Sequence, residues 1–263
     1  MPQIDSPAIV LSTLRYSETS KIVRLATREN GVQSAIAKGA LRSRSRFGAA
    51  LQFLSEGQAR LLVKEHRELH ILASFDLIRL HAGLAADLER YATASALAEV
   101  MLRFAPADPH PESYDLLREA LGLLEIAPAA ELEPLGFRAL WQLVSALGFA
   151  PALDACVRDG TPLPLEGGLA FSTSEGGALC PECAAGHGAT QLPADARADL
   201  GALVDPGAVL PRLDRRHAES HRGPPGHRRE AGWRHAPPRT RGRGPRPRSV
   251  SYTHLTLPTT ERV

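Results

Sequence analysis

The sequence predicts an α+β chain of several modules: an N-terminal five-stranded β-barrel, then a helical bundle domain with an inserted zinc-ribbon-like element. Three observations predict it. The apolar pattern follows a strand period from Ile9 to Leu80 and changes to a helical period at Leu84. Charge divides at the same place: Met1–Leu84 carries 12 Lys and Arg against 7 Asp and Glu, net +5, while Ala85–Asp205 carries 6 against 18, net −12. All three cysteines lie in one Gly- and Pro-rich stretch, 151–188. A length of 263 residues allows one to two domains with a substantial core.

Each element has its own warrant. Ile9–Tyr16 is rich in β-formers, and Lys21–Thr27 alternates, with Ile22 and Arg24 on one face and Val23 and Leu25 on the other. Asn30-Gly31 is a hairpin signal, and Val32–Lys38 supplies the returning strand. Leu51–Val63 and Leu69–Leu80 read as two further strands around the polar turn Lys64–Glu68. Five short strands with tight turns fit a small closed barrel, of which the OB-fold is the common nucleic-acid-binding form. The helical part begins with Leu84–Phe104, whose expected inward stripe runs through Leu84, Leu88, Tyr91, Ser95, Ala98 and Leu102. Glu112–Ile126 follows with Leu116, Leu117, Ala120, Leu121 and Leu124 on its apolar stripe, and Pro128 ends it. Glu131–Leu147 carries Leu135, Leu140, Trp141, Val144 and Leu147, with Gly148 as its C′ residue. A last helix runs from Pro193 to Val204. The expected organisation is therefore a barrel at 1–82 and a helical domain at 83–205, with the ribbon-like insertion at 151–188.

Between the third and fourth predicted strands lies Ala-Lys38-Gly-Ala-Leu-Arg42-Ser-Arg44-Ser-Arg46-Phe47-Gly. Guanidinium groups at every second position suit a row of phosphates better than a single small anion. Serine hydroxyls can add hydrogen bonds, and Phe47 offers a face on which a base could stack. Lys38, Arg42, Arg44 and Arg46 are thus candidate DNA contacts, with Lys21 and Arg24 as neighbours on the barrel. A solvated basic loop without a partner is the plain alternative.

Cys180-Pro-Glu-Cys183 has the spacing of a zinc knuckle. Cys156 lies upstream, but Asp159 stands where a second pair would have its other thiol, in Cys-Val-Arg-Asp-Gly. One structural zinc held by Cys156, Asp159, Cys180 and Cys183 is one reading, with His187 as another source of the fourth ligand. A degenerate ribbon that folds without metal is the other. Three cysteines are too few for a disulfide framework, so a reducing cytoplasm is expected.

Several classes are excluded. No apolar run is long enough to span a bilayer, so a soluble, cytoplasmic protein is expected. There is no P-loop lysine motif, no His-Glu-x-x-His and no Gly-x-Ser-x-Gly. His66 and His70 flank a turn with no carboxylate at ligand spacing. A binding protein, not an enzyme, is expected. Residues 206–263 carry 13 Lys and Arg against 4 Asp and Glu. From about Pro211 they lose nearly all apolar side chains, which predicts disorder. The vocabulary is that of a GC-rich gene translated out of frame, and Val250–Thr260 resembles a translated sequencing adaptor; an Arg/Gly-rich nucleic-acid arm is the other reading.

Leu14–Thr27 (Leu-Arg-Tyr-Ser-Glu-Thr-Ser-Lys-Ile-Val-Arg-Leu-Ala-Thr), Gly31, Ala37–Ala40, Ser45–Gln52, Phe137–Phe149 and the downstream Cys-x-x-Cys together resemble the bacterial RecO recombination mediators. The resemblance implies an OB domain, a helical domain and a zinc-ribbon-like insertion. It implies binding of single- and double-stranded DNA, strand annealing in DNA repair, and nucleoid association. Partnership with RecR, with the single-strand-binding protein SSB, and through them with RecA loading is implied too. It further implies that the helical domain receives the acidic SSB tail. Arg138 is the one cation in the matching Phe137–Phe149 stretch, one turn from Trp141, which makes the two a candidate tail site. Arg138 as an ordinary surface residue with Trp141 in the core is the alternative. The sequence departs from the family at Leu41, where a basic residue is usual, at Asp159, and in its C-terminal helices. A zinc-ribbon scaffold for protein–protein assembly, without direct DNA activity, is the competing function.

Overall fold

A computed structural model describes residues 2–64, 67–185 and 188–213. The expectations attached to His66, His187 and the chain from 214 onward lie outside the described residues.

The five strands are β1 (Gln3–Tyr16), β2 (Ser20–Thr27), β3 (Gly31–Ala37), β4 (Glu56–Leu62) and β5 (Leu69–Arg79). They close into a barrel in the order β1-β2-β3-β5-β4, with β3 and β5 parallel and every other pair antiparallel. This is the OB-fold arrangement expected from the strand pattern. The alternation of β2 is as read: Val23 and Leu25 are buried inside the barrel, and Ile22 and Arg24 stand outside. Gly31 takes φ +63 at the end of the β2–β3 turn. A Cβ there would also strike the Pro106 and Asp108 carbonyls, so this turn can dock only as glycine.

Two strand expectations need correction. β1 begins at Gln3, because its first residues pair with β4. β4 begins at Glu56 rather than Leu51, because Leu51 and Leu54 fold in as buried plugs instead of joining the ladder.

The helices are α1 (Ala82–Ala85), α2 (Leu88–Phe104), α3 (Pro111–Ile126) and α4 (Ala129–Val144), the last continuing into a π-turn at Ser145–Phe149. The predicted single helix from Leu84 is split, because the Asp87 side chain accepts from Arg90 N and caps α2 afresh. The predicted stripe of α2 is also rotated. Its buried residues are Ala94, Leu97, Ala98 and Met101, while Leu88 is 83% exposed. α2 is apolar on more than one face, so periodicity alone could not choose the face that α3 and α4 cover. α4 repeats the lesson: Leu132, Pro134, Gly136 and Leu143 are buried, and Trp141 only partly. In α3 the expected Leu117, Ala120, Leu121 and Leu124 are buried, joined by Tyr114, while Leu116 is only half-buried.

The stretch with the cysteines is ordered into a three-stranded sheet, β6 (Leu169–Ser172), β7 (Gly177–Leu179) and β8 (Thr190–Leu192), in the order β7-β6-β8. A short α5 (Pro181–Ala184) precedes β8, and α6 (Ala194–Val204) follows it. Among the described residues no helix is long and apolar enough to cross a membrane.

Barrel and helices belong to one compact unit. Ile9, Leu11, Ala26, Val32 and Leu54 on the barrel share one apolar core with Leu97, Met101, Leu117 and Leu121 of the bundle. Arg28 clasps Asp115 with two nitrogens at 2.8 and 3.0 Å, and Val32 N donates to Pro106 O at 3.0 Å.

Candidate nucleic-acid interface and metal centre

The basic segment from Gly39 to Ser55 is a chain of tight turns. Arg42 N donates to Gly39 O, Ser45 N to Arg42 O, Gly48 N to Ser45 O and Ala50 N to Phe47 O, all between 2.9 and 3.1 Å. Arg42, Arg44 and Arg46 therefore sit on successive turns and not along an extended strand, where their spacing would have formed a single row. Gly39 opens the loop at φ +73, and the Arg42 stem lies across it, with Cδ 3.5 Å from where a Cβ would sit.

The loop is fastened at both ends. Leu41 N donates to Thr19 O at 2.9 Å, which ties the start to the β1–β2 turn. At the far end Leu54 N donates to Val10 O at 2.8 Å, and Val10 N to Ser55 O at 2.9 Å. Between them Phe47, Ala50 and Leu51 pack into the barrel core with Val10, Val23 and Leu72. Apolar burial thus holds the loop while leaving its cations outside.

The predicted contact residues separate into three groups. Lys38, Arg42, Arg44 and Arg46 are exposed and form no ion pair among the described residues. Lys21 and Arg24 are structural. Lys21 Nζ donates to Leu51 O at 3.3 Å, holding the loop, and Arg24 Nη2 donates to Leu102 O at 3.2 Å near the end of α2. Phe47 is a correction: at 3% exposure its ring is a core plug, and the Arg46 guanidinium covers it 5.0 Å from the centroid. Its place beside Arg46 in a basic run made it look exposed, but a barrel end needs an apolar stopper.

The second cluster sits beside β7. Cys156, Asp159, Cys180 and Cys183 place their donor atoms all within 4.8 Å of one another. Two turns build it. Gly160 N donates to Cys156 O at 2.9 Å, and Thr161 N to Asp159 Oδ1 at 2.9 Å, which aims Oδ2 inward. Cys180 caps α5, its Sγ accepting from Cys183 N at 3.4 Å. Both Cys180 Sγ and Cys183 Sγ lie 3.3 Å from Asp159 Oδ2. The Thr161 N–H holds the Asp159 carboxyl far below the usual carboxylate range. Cys180, and then Asp159, push the Cys183 thiol up to about 12. A tetrahedral ion with metal–sulfur bonds of about 2.3 Å sets its ligands about 3.8 Å apart, so these four donors fit a metal ion. Asp159 takes the place of the missing thiol without disturbing the turn that Gly160 makes.

The candidate tail site does not assemble. Arg138 is half-buried, and its Nη2 donates to Ala202 O at 2.9 Å and Ala208 O at 2.7 Å. It satisfies carbonyls at and beyond the C-terminal end of α6 instead of facing solvent beside Trp141. The nearby groove between α2 and α4, about 260 Å³ and lined by Leu97, Phe137 and Leu140, is rimmed by Glu89 and Glu133. Those carboxylates would repel an acidic peptide. Helical spacing brought Arg138 near Trp141, but only the packing of α6 shows how its charge is used.

Comparison with known proteins agrees with this architecture. The family described as Recombination protein O N terminal matches residues 1–81, and Recombination protein O C terminal matches residues 85–222. The chain is 39% identical over 183 residues to the DNA repair protein RecO of an Anaeromyxobacter species, covering 67% of this chain and 68% of that protein. It is 38% identical over 188 residues to the protein of that name in Anaeromyxobacter dehalogenans, covering 71% and 72%. In Symbiobacterium thermophilum the identity is 36% over 200 residues, covering 75% and 78%.

Proposed function

The chain belongs to the RecO family, and from that premise we propose that it is a recombination mediator in DNA repair that binds DNA through the barrel loop. Its work is to anneal complementary strands and to help RecA load on SSB-coated single-stranded DNA, together with RecR, at the bacterial nucleoid in the cytoplasm. One observation carries the DNA reading. Among the described residues Lys38, Arg42, Arg44 and Arg46 are exposed cations with no acidic partner, on a loop fixed in place by Phe47, Leu51 and Leu54. A loop that is already ordered loses little entropy when it meets a phosphate chain.

The same fold gives the acidic bundle another task. With net −12 over Ala85–Asp205, it repels nucleic acid and leaves strand contact to the barrel. The bundle and the ribbon-like element then serve protein partners, SSB and RecR among them. Cys156, Asp159, Cys180 and Cys183 hold one structural zinc in this reading, which would cross-link the two turns and keep β6–β8 on the bundle.

The test is the salt dependence of binding to single-stranded DNA. Four phosphate contacts give a log–log slope of about −3, from about −0.7 each, or about a 50-fold loss of affinity between 50 and 200 mM salt. Replacing Arg42, Arg44 and Arg46 together by Ala should reduce that to about threefold. A slope that does not change in the triple variant means that the loop is only solvated. Strand annealing, measured in parallel, separates a mediator from a scaffold that does not touch DNA.

A further inference from the structure

With Phe47 buried, the interface needs another aromatic ring to hold a base, and the barrel supplies one. Tyr16 ends β1, paired with Ser20 of β2; Leu14 pairs with Ile22, and Ile22 with Ile36 of β3. Directly opposed residues of an antiparallel ladder share a face. Val23 and Ala35 form the alternate, inward row and are fully buried. Tyr16 and Leu14 therefore stand on the outer face, where they are 48% and 66% exposed.

The bundle covers only part of this outer face. Ile9, Ala26 and Val32 lie beneath the helices, and Arg24 marks the edge with its bond to Leu102 O. Beyond that edge Leu14, Tyr16, Ile22 and Ile36 form an apolar stripe on the outer face, with Leu14 and Tyr16 exposed and Ile22 and Ile36 half-buried. The basic loop arrives beside this stripe, because Leu41 N is bonded to Thr19 O in the turn that joins Tyr16 to β2. Lys38 and Arg42, both exposed, lie at the start of that loop, against one carboxylate, Glu18, in the turn. Among the described residues of the barrel, Tyr16 is the one exposed Phe, Tyr or Trp side chain.

We propose that Tyr16 is a stacking platform for an unpaired base of the strand whose phosphates the loop holds, with Leu14 extending the apolar floor. The proposal rests on the DNA-binding reading above. A ring beside a set of cations suits single-stranded nucleic acid, whose bases are free to stack while its phosphates stay in register with the loop. A protein partner on the same stripe would answer to the apolar surface alone and be indifferent to the bases.

The experiment compares the full chain with Tyr16→Ala and Tyr16→Phe on an oligothymidylate and on an abasic strand of equal length. Tyr16→Ala should weaken oligothymidylate binding about 5- to 150-fold, the range for losing one stacked base. It should leave abasic-strand affinity and the salt slope unchanged, which also shows that the barrel remains folded. Tyr16→Phe should restore the loss, because the ring and not the hydroxyl does the stacking. Equal losses on both strands, or no loss on oligothymidylate, would overturn the proposal while leaving the phosphate reading intact. Failure of the unaltered protein to bind either strand would overturn both.

Discussion

The basic loop and the cysteine cluster are both short irregular segments that present reactive side chains, yet they are held in opposite ways. The loop from Gly39 to Ser55 inserts Phe47, Ala50, Leu51 and Leu54 into apolar surroundings, so the barrel core fixes it and its cations need nothing from one another. The cluster has little such support. Its small core consists largely of the ligands themselves, Cys156 and Cys180, with Ala170 and Leu179. The loop is positioned by burial and needs no partner to be ordered. The other brings mutually crowding donors together, and a bound ion would supply the stability that its small core lacks.

Metal removal is the sharpest way to break that comparison, because a structural zinc accounts for most of the folding free energy of such an element, about 10–16 kcal/mol in isolated knuckle peptides. The purified full chain should carry close to one equivalent of zinc. Chelation should raise hydrogen exchange across Ala152–Leu192 while the barrel strands stay protected. A metal-free protein indifferent to chelator would show that the ribbon folds on apolar contacts after all, and the contrast with the loop would vanish.

Phe47→Ala tests the other half. Loss of a buried phenyl ring should cost about 3–5 kcal/mol of unfolding free energy, read from denaturant midpoints. Replacing the three arginines should leave stability nearly unchanged and alter only salt-dependent binding. If Phe47→Ala left stability intact and reduced only DNA affinity, the ring would be a contact and not a plug.

The smallest expected effect is at Arg138. Charge reversal by Arg138→Glu should destabilise the packing of α6 on α4 by about 1–3 kcal/mol, since the Ala202 and Ala208 carbonyls lose their donor to a carboxylate. Any loss of SSB-tail binding should then appear together with that loosening. Selective loss of tail binding, with α6 exchange unchanged, would return Arg138 to the role that its helical spacing first suggested.

How far the sequence could be read follows from the range of the interactions involved. Alternation and turn residues are local, so the strand sequence of the barrel, the Asn30-Gly31 hairpin and the α3 stripe were all legible. The clustering of Cys156, Asp159, Cys180 and Cys183 was legible as well, because a knuckle is a local turn and its spacing survives with Asp159 in place of a thiol. The exposure of Arg42, Arg44 and Arg46 followed from charge, which resists burial.

Tertiary structure decided what depends on distant partners. Phe47 became a plug because the barrel end required an apolar cover, and Arg24 and Arg138 became carbonyl donors because helix ends arrived beside them. α2 turned Ala94, Leu97 and Met101 inward because α3 and α4 cover that side. Tyr16 lies in a strand whose pattern is read easily, but its exposure follows from where the bundle stops. The side of an element that is left bare is a property of its neighbours, and no period within its own residues records it.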